Sequence, residues 1–302
     1  MFQNAKRRIF NPLVASLEMK KMNPKRVMNF QKKIKEHLQD YKFKYFSSVE
    51  NGTWRKREKC YPHILPKDKK KLNLLPKYRD SLSNYMGKNS KTLKPHTYFH
   101  HLNSSQAMCL NFFYPLIKEK ELGLVLNAIG LINEKVEYSS ACFEKKSIVE
   151  KVDKNYRATY FDFYMETVTG KNIYFEIKYT EQQFGKVKLD ELHSNKFDKV
   201  YKNKLDSINK KYSNKKDFLE NYQILRNLIC VTENSYVVFV YPNDNKKIRT
   251  QAEFARKEFL KENLKNNLIN LTWENLTLKT EKETQNNNIK TQLKDFKEKY
   301  MV

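Results

Sequence analysis

The chain has little of what loosens a backbone. Its 302 residues include only 6 Gly and 8 Pro, which argues against long flexible linkers. Cysteine is scarcer still. Cys60, Cys109, Cys142 and Cys230 stand far apart, with no C-x-x-C pair. Cys60 and His63 make half a zinc site, and no second half follows. Reduced, mostly buried thiols in a cytoplasmic protein are expected. No run of ~18 apolar residues occurs, so no transmembrane helix is expected. The opening MFQNAKRRIFNPLVASLEMKK is basic but lacks an uninterrupted apolar stretch, so no secretory signal is expected. There is no internal repeat, no P-loop and no G-x-G-x-x-G. NTP hydrolysis and dinucleotide binding therefore find no support.

Acids are the minority charge: 34 Asp and Glu against 59 Lys and Arg, a net charge of +25. Such a surplus favours a polyanionic partner, nucleic acid first. An AT-rich coding sequence also produces Lys and Asn, so the balance of charge carries the argument rather than the lysine count. An anionic membrane surface finds no obvious amphipathic anchor. Hydrophobic residues make up 39%, with 19 Phe and 19 Tyr, as a folded chain requires. The length allows one large domain or two small ones.

What is present centres on Thr159 to Glu181, TYFDFYMETVTGKNIYFEIKYTE. Tyr160–Thr167 and Ile173–Thr180 are aromatic and β-branched runs, separated by a turn at Val168–Asn172. Two strands in a hairpin are expected. Side chains on a strand alternate, so Tyr174, Glu176 and Lys178 share one face, opposite Phe175, Ile177 and Tyr179. Asp162 shares a face with Tyr160 and Tyr164, opposite Phe161 and Phe163. The hairpin then gathers Asp162, Glu176 and Lys178 above an apolar underside. Two carboxylates suit a hard divalent cation, which keeps several waters. Such a cation lowers the pKa of a bound water and stabilises charge on a phosphoryl oxygen. A lysine beside it orients the attacking water or neutralises developing charge. The plain alternative is a surface hairpin with three solvated charges.

Asp162 followed 14 positions later by Glu176-Ile177-Lys178 resembles the D…ExK signature of the PD-(D/E)XK, or restriction-endonuclease-like, nuclease superfamily. Leu102-Asn103-Ser104-Ser105-Gln106, Phe143-Glu144, Glu181 with Phe184-Gly185, and Gln223 to Asn227 (QILRN) resemble a bacterial branch of it. The similarity runs from about Arg57 to Trp273. Phe161 stands where stricter members have a proline.

The resemblance implies an α/β restriction-endonuclease-like core, αβββαβ, a central mixed sheet flanked by helices. Residues 96–279 would form it, after a basic N-terminal region over 1–95 and before a polar linker and short helix over 280–302. It implies Asp162 and Glu176 as ligands of Mg2+ or Mn2+, aided by the Ile177 carbonyl, with Lys178 positioning water. The helix before the catalytic strands can carry a further acid in this superfamily. None lies in Ala107–Ile117, so Glu144 is the additional catalytic candidate and Glu137 a lesser one. Arg55, Lys56, Arg57, Gln106 and Arg226 are candidate nucleic-acid contacts. The implied activity is Mg2+-dependent endonuclease hydrolysis of DNA, favoured over RNA, most often leaving a 5′-phosphate. A homodimer, or a partner protein in restriction or anti-phage defence, is implied. The alternatives are a nucleic-acid-binding module with an idle nuclease fold, and an RNA-directed nuclease.

Spacing predicts further elements. A basic amphipathic helix covers Val27–Tyr41. His96, His100 and His101 cluster without a catalytic spacing, which favours a structural or nucleic-acid-lining role. Ser104 caps a helix with an Ala107, Leu110, Phe113, Leu116, Ile117 stripe. Helices are expected over Glu119–Ile129, Leu189–Tyr212, Phe218–Ile229 and Thr250–Leu264. Arg226 either pairs with a buried acid or faces the scissile phosphate. Glu137–Lys146, Ser235–Tyr241 and Leu268–Trp273 read as strands, the second buried on both faces. Glu281–Asn288 reads as a loose linker before a helix carrying Ile289, Leu293, Phe296 and Tyr300.

Overall fold

The structure, a computed structural model, describes residues 24–54, 59–150 and 158–302. Arg55, Lys56 and Arg57 lie outside the described residues.

Five strands form one mixed sheet, ordered β3 (Val136–Lys146), β4 (Tyr160–Thr167), β5 (Asn172–Ile177), β6 (Ser235–Tyr241) and β7 (Leu268–Thr272). β1 (Gly52–Thr53) and β2 (Cys60–Tyr61) make a separate two-residue ribbon. The aromatic runs either side of Gly170 form the expected hairpin, Phe163 opposite Phe175 and Met165 opposite Ile173. Gly170 supplies φ +85°, which a side chain would resist. β5, β6 and β7 run parallel to one another, while β3 and β4 are antiparallel. β6 (SYVVFVY) is buried along nearly its whole length, as its unbroken apolar run requires.

Helices cover both faces. On one side Phe163, Phe175, Ile177, Tyr179, Val238 and Val240 pack into a cluster with helical side chains. Those come from α1 (Pro24–Phe46), α2 (Arg79–Lys88), α3 (Ser105–Lys118), α4 (Gly123–Ala128), α9 (Trp273–Glu283) and α10 (Asn287–Tyr300). Phe113 of α3 stacks on Phe163 with ring centroids 4.2 Å apart. Burying one such ring is worth roughly 1.5–3 kcal/mol. On the other side Tyr174, Val237, Phe239 and Tyr241 meet α6 (Lys215–Glu220), α7 (Tyr222–Leu228) and α8 (Lys246–Phe254). α5 (Glu191–Lys196) runs into a π-helical turn, Phe197–Tyr201, whose side chains join that second cluster.

Several expectations shift. Leu189–Tyr212 is not one helix: only α5 and the π-helical turn are regular before a three-residue 3-10 turn at Lys210–Tyr212. Leu189 and Leu192, read as part of its apolar stripe, are 59% and 64% exposed. Phe218–Ile229 breaks at Asn221 into α6 and α7. The linker shrinks to Thr284–Asn286, because α9 continues to Glu283 and α10 starts at Asn287. α10 buries Ile289, Leu293, Phe296 and Tyr300, so the C-terminal helix belongs to the core. Phe161 leaves the underside shared by Phe163: it packs on Tyr174, centroids 4.7 Å apart, in the opposite cluster. Strict alternation in β4 therefore fails at Asp162.

Candidate active site

The reason is visible in the hydrogen bonds around Asp162. Lys178 N–H bonds the Val240 carbonyl of β6 at 2.8 Å. Successive N–H groups of a strand point to opposite edges, so that of Ile177 faces β4. There it meets the Asp162 carboxylate, Oδ2, at 2.6 Å. A side chain thus takes the position of a ladder carbonyl, and the pairing of β4 with β5 ends at Phe163 opposite Phe175. Among the described residues no donor meets Asp162 Oδ1. The Ile177 carbonyl faces the same opening, because N–H and C=O of one strand residue point to one edge.

Register aligns three acids. Lys145 lies opposite Phe161 and Phe143 opposite Phe163, so Glu144 faces Asp162 across β3 and β4. Continuing the β4–β5 register by one residue brings Asp162 to Glu176. All three line an open cleft of about 720 Å³, together with Ile177 and Lys178. The cleft wall packs protein around Asp162. This burial pushes its carboxyl well above the usual range; the charge of Glu176 adds to it, and the Ile177 N–H and Lys178 work against it.

Glu176 is 5% exposed and held by three donors. Lys178 Nζ reaches its Oε1 at 2.6 Å. Gln223 Nε2 reaches the same oxygen at 2.7 Å, and Asn227 Nδ2 reaches Oε2 at 3.0 Å. Gln223 and Asn227 are one turn apart on α7, hence on one face. Gln223 is itself fixed by Gly185, whose N–H bonds its Oε1 at 2.6 Å. A Cβ at Gly185 would lie 3.3 Å from that oxygen, so the close approach favours glycine. Lys178 is held at its backbone too, its carbonyl accepting from Trp273 Nε1 at 3.1 Å. Burial pulls the Lys178 ammonium down, but Glu176, Glu181 and Asp162 outweigh it and hold the pKa above its ordinary value.

Glu144 comes to the cleft differently. Its φ of +53° is in the left-handed region, rare for a residue with a side chain. Its Oε1 accepts from Gln106 Nε2 at 2.7 Å and lies 3.3 Å from His96 Nε2. Gln106, expected among nucleic-acid contacts, is 3% exposed, and its amide is wholly engaged inside the protein. Glu137, the lesser candidate, sits at the other end of β3, where its carboxylate accepts from Ser139. His100 and His101 are buried, whereas His96 faces the cleft.

Arg226 lines the cleft with its guanidinium 4.9 Å from the Tyr222 ring centroid. Among the described residues it forms no ion pair, and its Nε is buried without a hydrogen-bond partner. The buried-acid alternative for Arg226 finds no acid among the described residues. The nearby buried Lys196 has a carboxylate, Glu150, at 3.0 Å.

A family model, Restriction Endonuclease associating with ARP, matches residues 35–301. The chain belongs to this family. Membership agrees with the resemblance carried by Asp162, Glu176 and Lys178, and the family's name is that of a nuclease. No curated protein and no solved structure matches the chain.

Among the described residues no three His, Cys, Asp or Glu side chains converge into a metal cage. The Asp162–Glu176 pair is a smaller donor set, of the kind Mg2+ uses alongside water and substrate phosphate. An Asp162 oxygen unpartnered among the described residues and a carboxyl held above its usual range mark a place short of positive charge. The residues present fit a hard divalent cation.

Gln223 and Asn227 open and close the QILRN stretch that carries the resemblance, and His96 reads as part of a structural or nucleic-acid-lining cluster, but none of them, nor Lys196, is among the expected site residues.

Proposed function

We propose that the protein is a divalent-metal-dependent endonuclease that hydrolyses DNA phosphodiester bonds. The observation that carries this is the row Glu144, Asp162, Glu176 beside Lys178, in one cleft, with Asp162 held above its usual pKa. Asp162, Glu176 and the Ile177 carbonyl would hold Mg2+ or Mn2+, which when bound supplies an acidified water and charge for a phosphoryl oxygen. Lys178, fixed by Glu176, orients the attacking water and neutralises developing charge. Arg226, with no ion pair of its own among the described residues, binds a phosphate of the substrate. Gln223 and Asn227 keep Glu176 in place. The net charge of +25 supports a polyanionic substrate.

The rest of the reading is of the same standing. Residues 96–279 form a restriction-endonuclease-like core. The order α3, α4, β3, β4, β5, then α5 to α7, then β6 supports that assignment. DNA is preferred to RNA because the family name describes a restriction endonuclease. The same name speaks of association with ARP, from which we infer a partner protein in a restriction or anti-phage system. A cytoplasmic setting accords with four free cysteines. No helix among the described residues is long and apolar enough to cross a membrane.

The test uses supercoiled plasmid, linear duplex, single-stranded DNA and RNA, each with Mg2+, Mn2+ or EDTA. Metal-dependent cutting of DNA that disappears in Asp162→Ala and Lys178→Ala is expected. Cutting that survives either substitution overturns the site. Binding without cutting under either metal identifies a binding module, and cutting of RNA alone an RNA-directed enzyme.

A further inference from the structure

One buried amide ties together two residues, His96 and Glu144, to which the hydrolysis above assigns no step. Gln106 accepts from the backbone N–H of His96 at 2.8 Å. Its Nε2 donates to the Lys94 carbonyl at 3.0 Å and to Glu144 Oε1 at 2.7 Å. The loop carrying His96 is thereby clamped to the strand carrying Glu144. Glu144 adopts a left-handed φ there, a strained conformation that surrounding bonds must hold. Its carboxylate sits 3.3 Å from His96 Nε2, while the imidazole is 57% exposed and lines the cleft of Asp162 and Lys178. Glu144 is opposite Asp162 in the sheet, so the imidazole stands at the end of the acid row. A carboxylate fixed beside one ring nitrogen sets the orientation of the ring.

We propose that His96 is the general acid that protonates the leaving 3′-oxygen of the cut strand, with Glu144 and Gln106 as its positioning residues. This rests on the nuclease reading of the site. In the step, the water oxygen bonds to phosphorus as the bond from phosphorus to O3′ breaks. The bonding pair departs on O3′ and takes the His96 proton. The attacking water yields a proton to solvent, and solvent reprotonates His96. Lys178 is engaged with Glu176 at 2.6 Å and serves the attacking water in this reading, so the leaving oxygen takes its proton from another group.

The test compares duplex oligonucleotides with an ordinary linkage and with a single 3′-bridging sulfur, under Mg2+ and single-turnover conditions. A thiolate leaves without needing a proton. His96→Ala should cut the ordinary substrate ~10²–10⁴-fold slower, the usual worth of general acid catalysis. On the sulfur substrate its rate should come within a few-fold of the wild-type rate. Glu144→Gln should show a smaller version of the same pattern. Equal slowing on both substrates, or no slowing on either, overturns the proposal. A wild-type protein that cuts neither substrate overturns the nuclease reading instead. His96 is exposed, so His96→Ala should fold; a matching thermal midpoint checks it.

Discussion

The Asp162 carboxylate stands in for a strand: its Oδ2 takes the Ile177 N–H at 2.6 Å, where β4 would otherwise have offered a carbonyl. That bond opens the sheet at the point where Ile177 and Lys178 leave it. It also holds a carboxylate near a second one in a desolvated place, an arrangement unfavourable without a cation. Asparagine at 162 can keep the bond and discard the charge.

Asp162→Asn should therefore stabilise the metal-free protein while abolishing cleavage. The raised folded pKa means that a proton on Asp162 favours the folded state. Its stabilising contribution is present below the unfolded carboxyl pKa and is lost as pH rises through the folded value. The gain from Asp162→Asn should be present at neutral pH and fade below about pH 4, as both states become protonated. Thermal melts in EDTA at several pH values check this. A substitution that destabilises at pH 7 contradicts it.

Mg2+ should act on the same balance. A ligand bound only by the folded state raises the melting temperature with concentration. Wild-type protein should melt a few degrees higher in Mg2+ than in EDTA, and Asp162→Asn should show no such rise.

Arg226 has no ion pair to lose among the described residues. Arg226→Ala should change stability by less than about 1 kcal/mol, the worth of its contact with the Tyr222 ring. Duplex affinity should weaken, and the slope of log K against log salt should fall by about 1. Fluorescence anisotropy at several salt concentrations measures both. An unchanged slope removes Arg226 from the phosphate contacts.

Asn227 is fully buried and holds Glu176. Asn227→Ala leaves that carboxylate short of a donor, and should cost roughly 1–3 kcal/mol of stability. Loss of that positioning should slow cleavage tenfold or more. Gln223, partly exposed, should cost less stability for a comparable loss of rate, which a comparison of kcat with urea midpoint separates.

Acid sensitivity should come from two buried histidines, His63 and His101. Burial, then Lys35, push His63 down to about 4. Burial, then His100, His63 and Lys35, push His101 down to about 3. An unfolded histidine takes its proton near 6.5, so their contribution is present above that pH and lost as pH falls toward the folded values. The slope should approach about 1.4 kcal/mol per pH unit for each histidine. Urea midpoints from pH 7.5 to 4.5 report it, and a flat profile contradicts it.

What was legible followed from patterns that packing does not override. Tyr160–Thr167 and Ser235–Tyr241 run as β-branched and aromatic blocks, and both strands have those bounds. Ser104 caps α3, its hydroxyl accepting from Ala107 N–H. The Asp162, Glu176, Lys178 grouping was legible because hairpin register is nearly fixed by a short turn. Spacing alone misled at Leu189 and Leu192, which sit at helical intervals and point to solvent. It could not show that Gln106 faces inward, since an amide suits a surface as well as a clamp. Nor could alternation show Phe161 crossing to the other face, because the side-chain bond at Asp162 overrides the ladder there.

The account turns on a cation held between Asp162 and Glu176. Mn2+ titration by electron paramagnetic resonance, with a noncleavable duplex present, counts the ions that wild-type and Asp162→Asn protein remove from solution. The account predicts at least one tightly held ion per wild-type chain and its loss in the variant. Equal uptake by both proteins, or none by either, contradicts it.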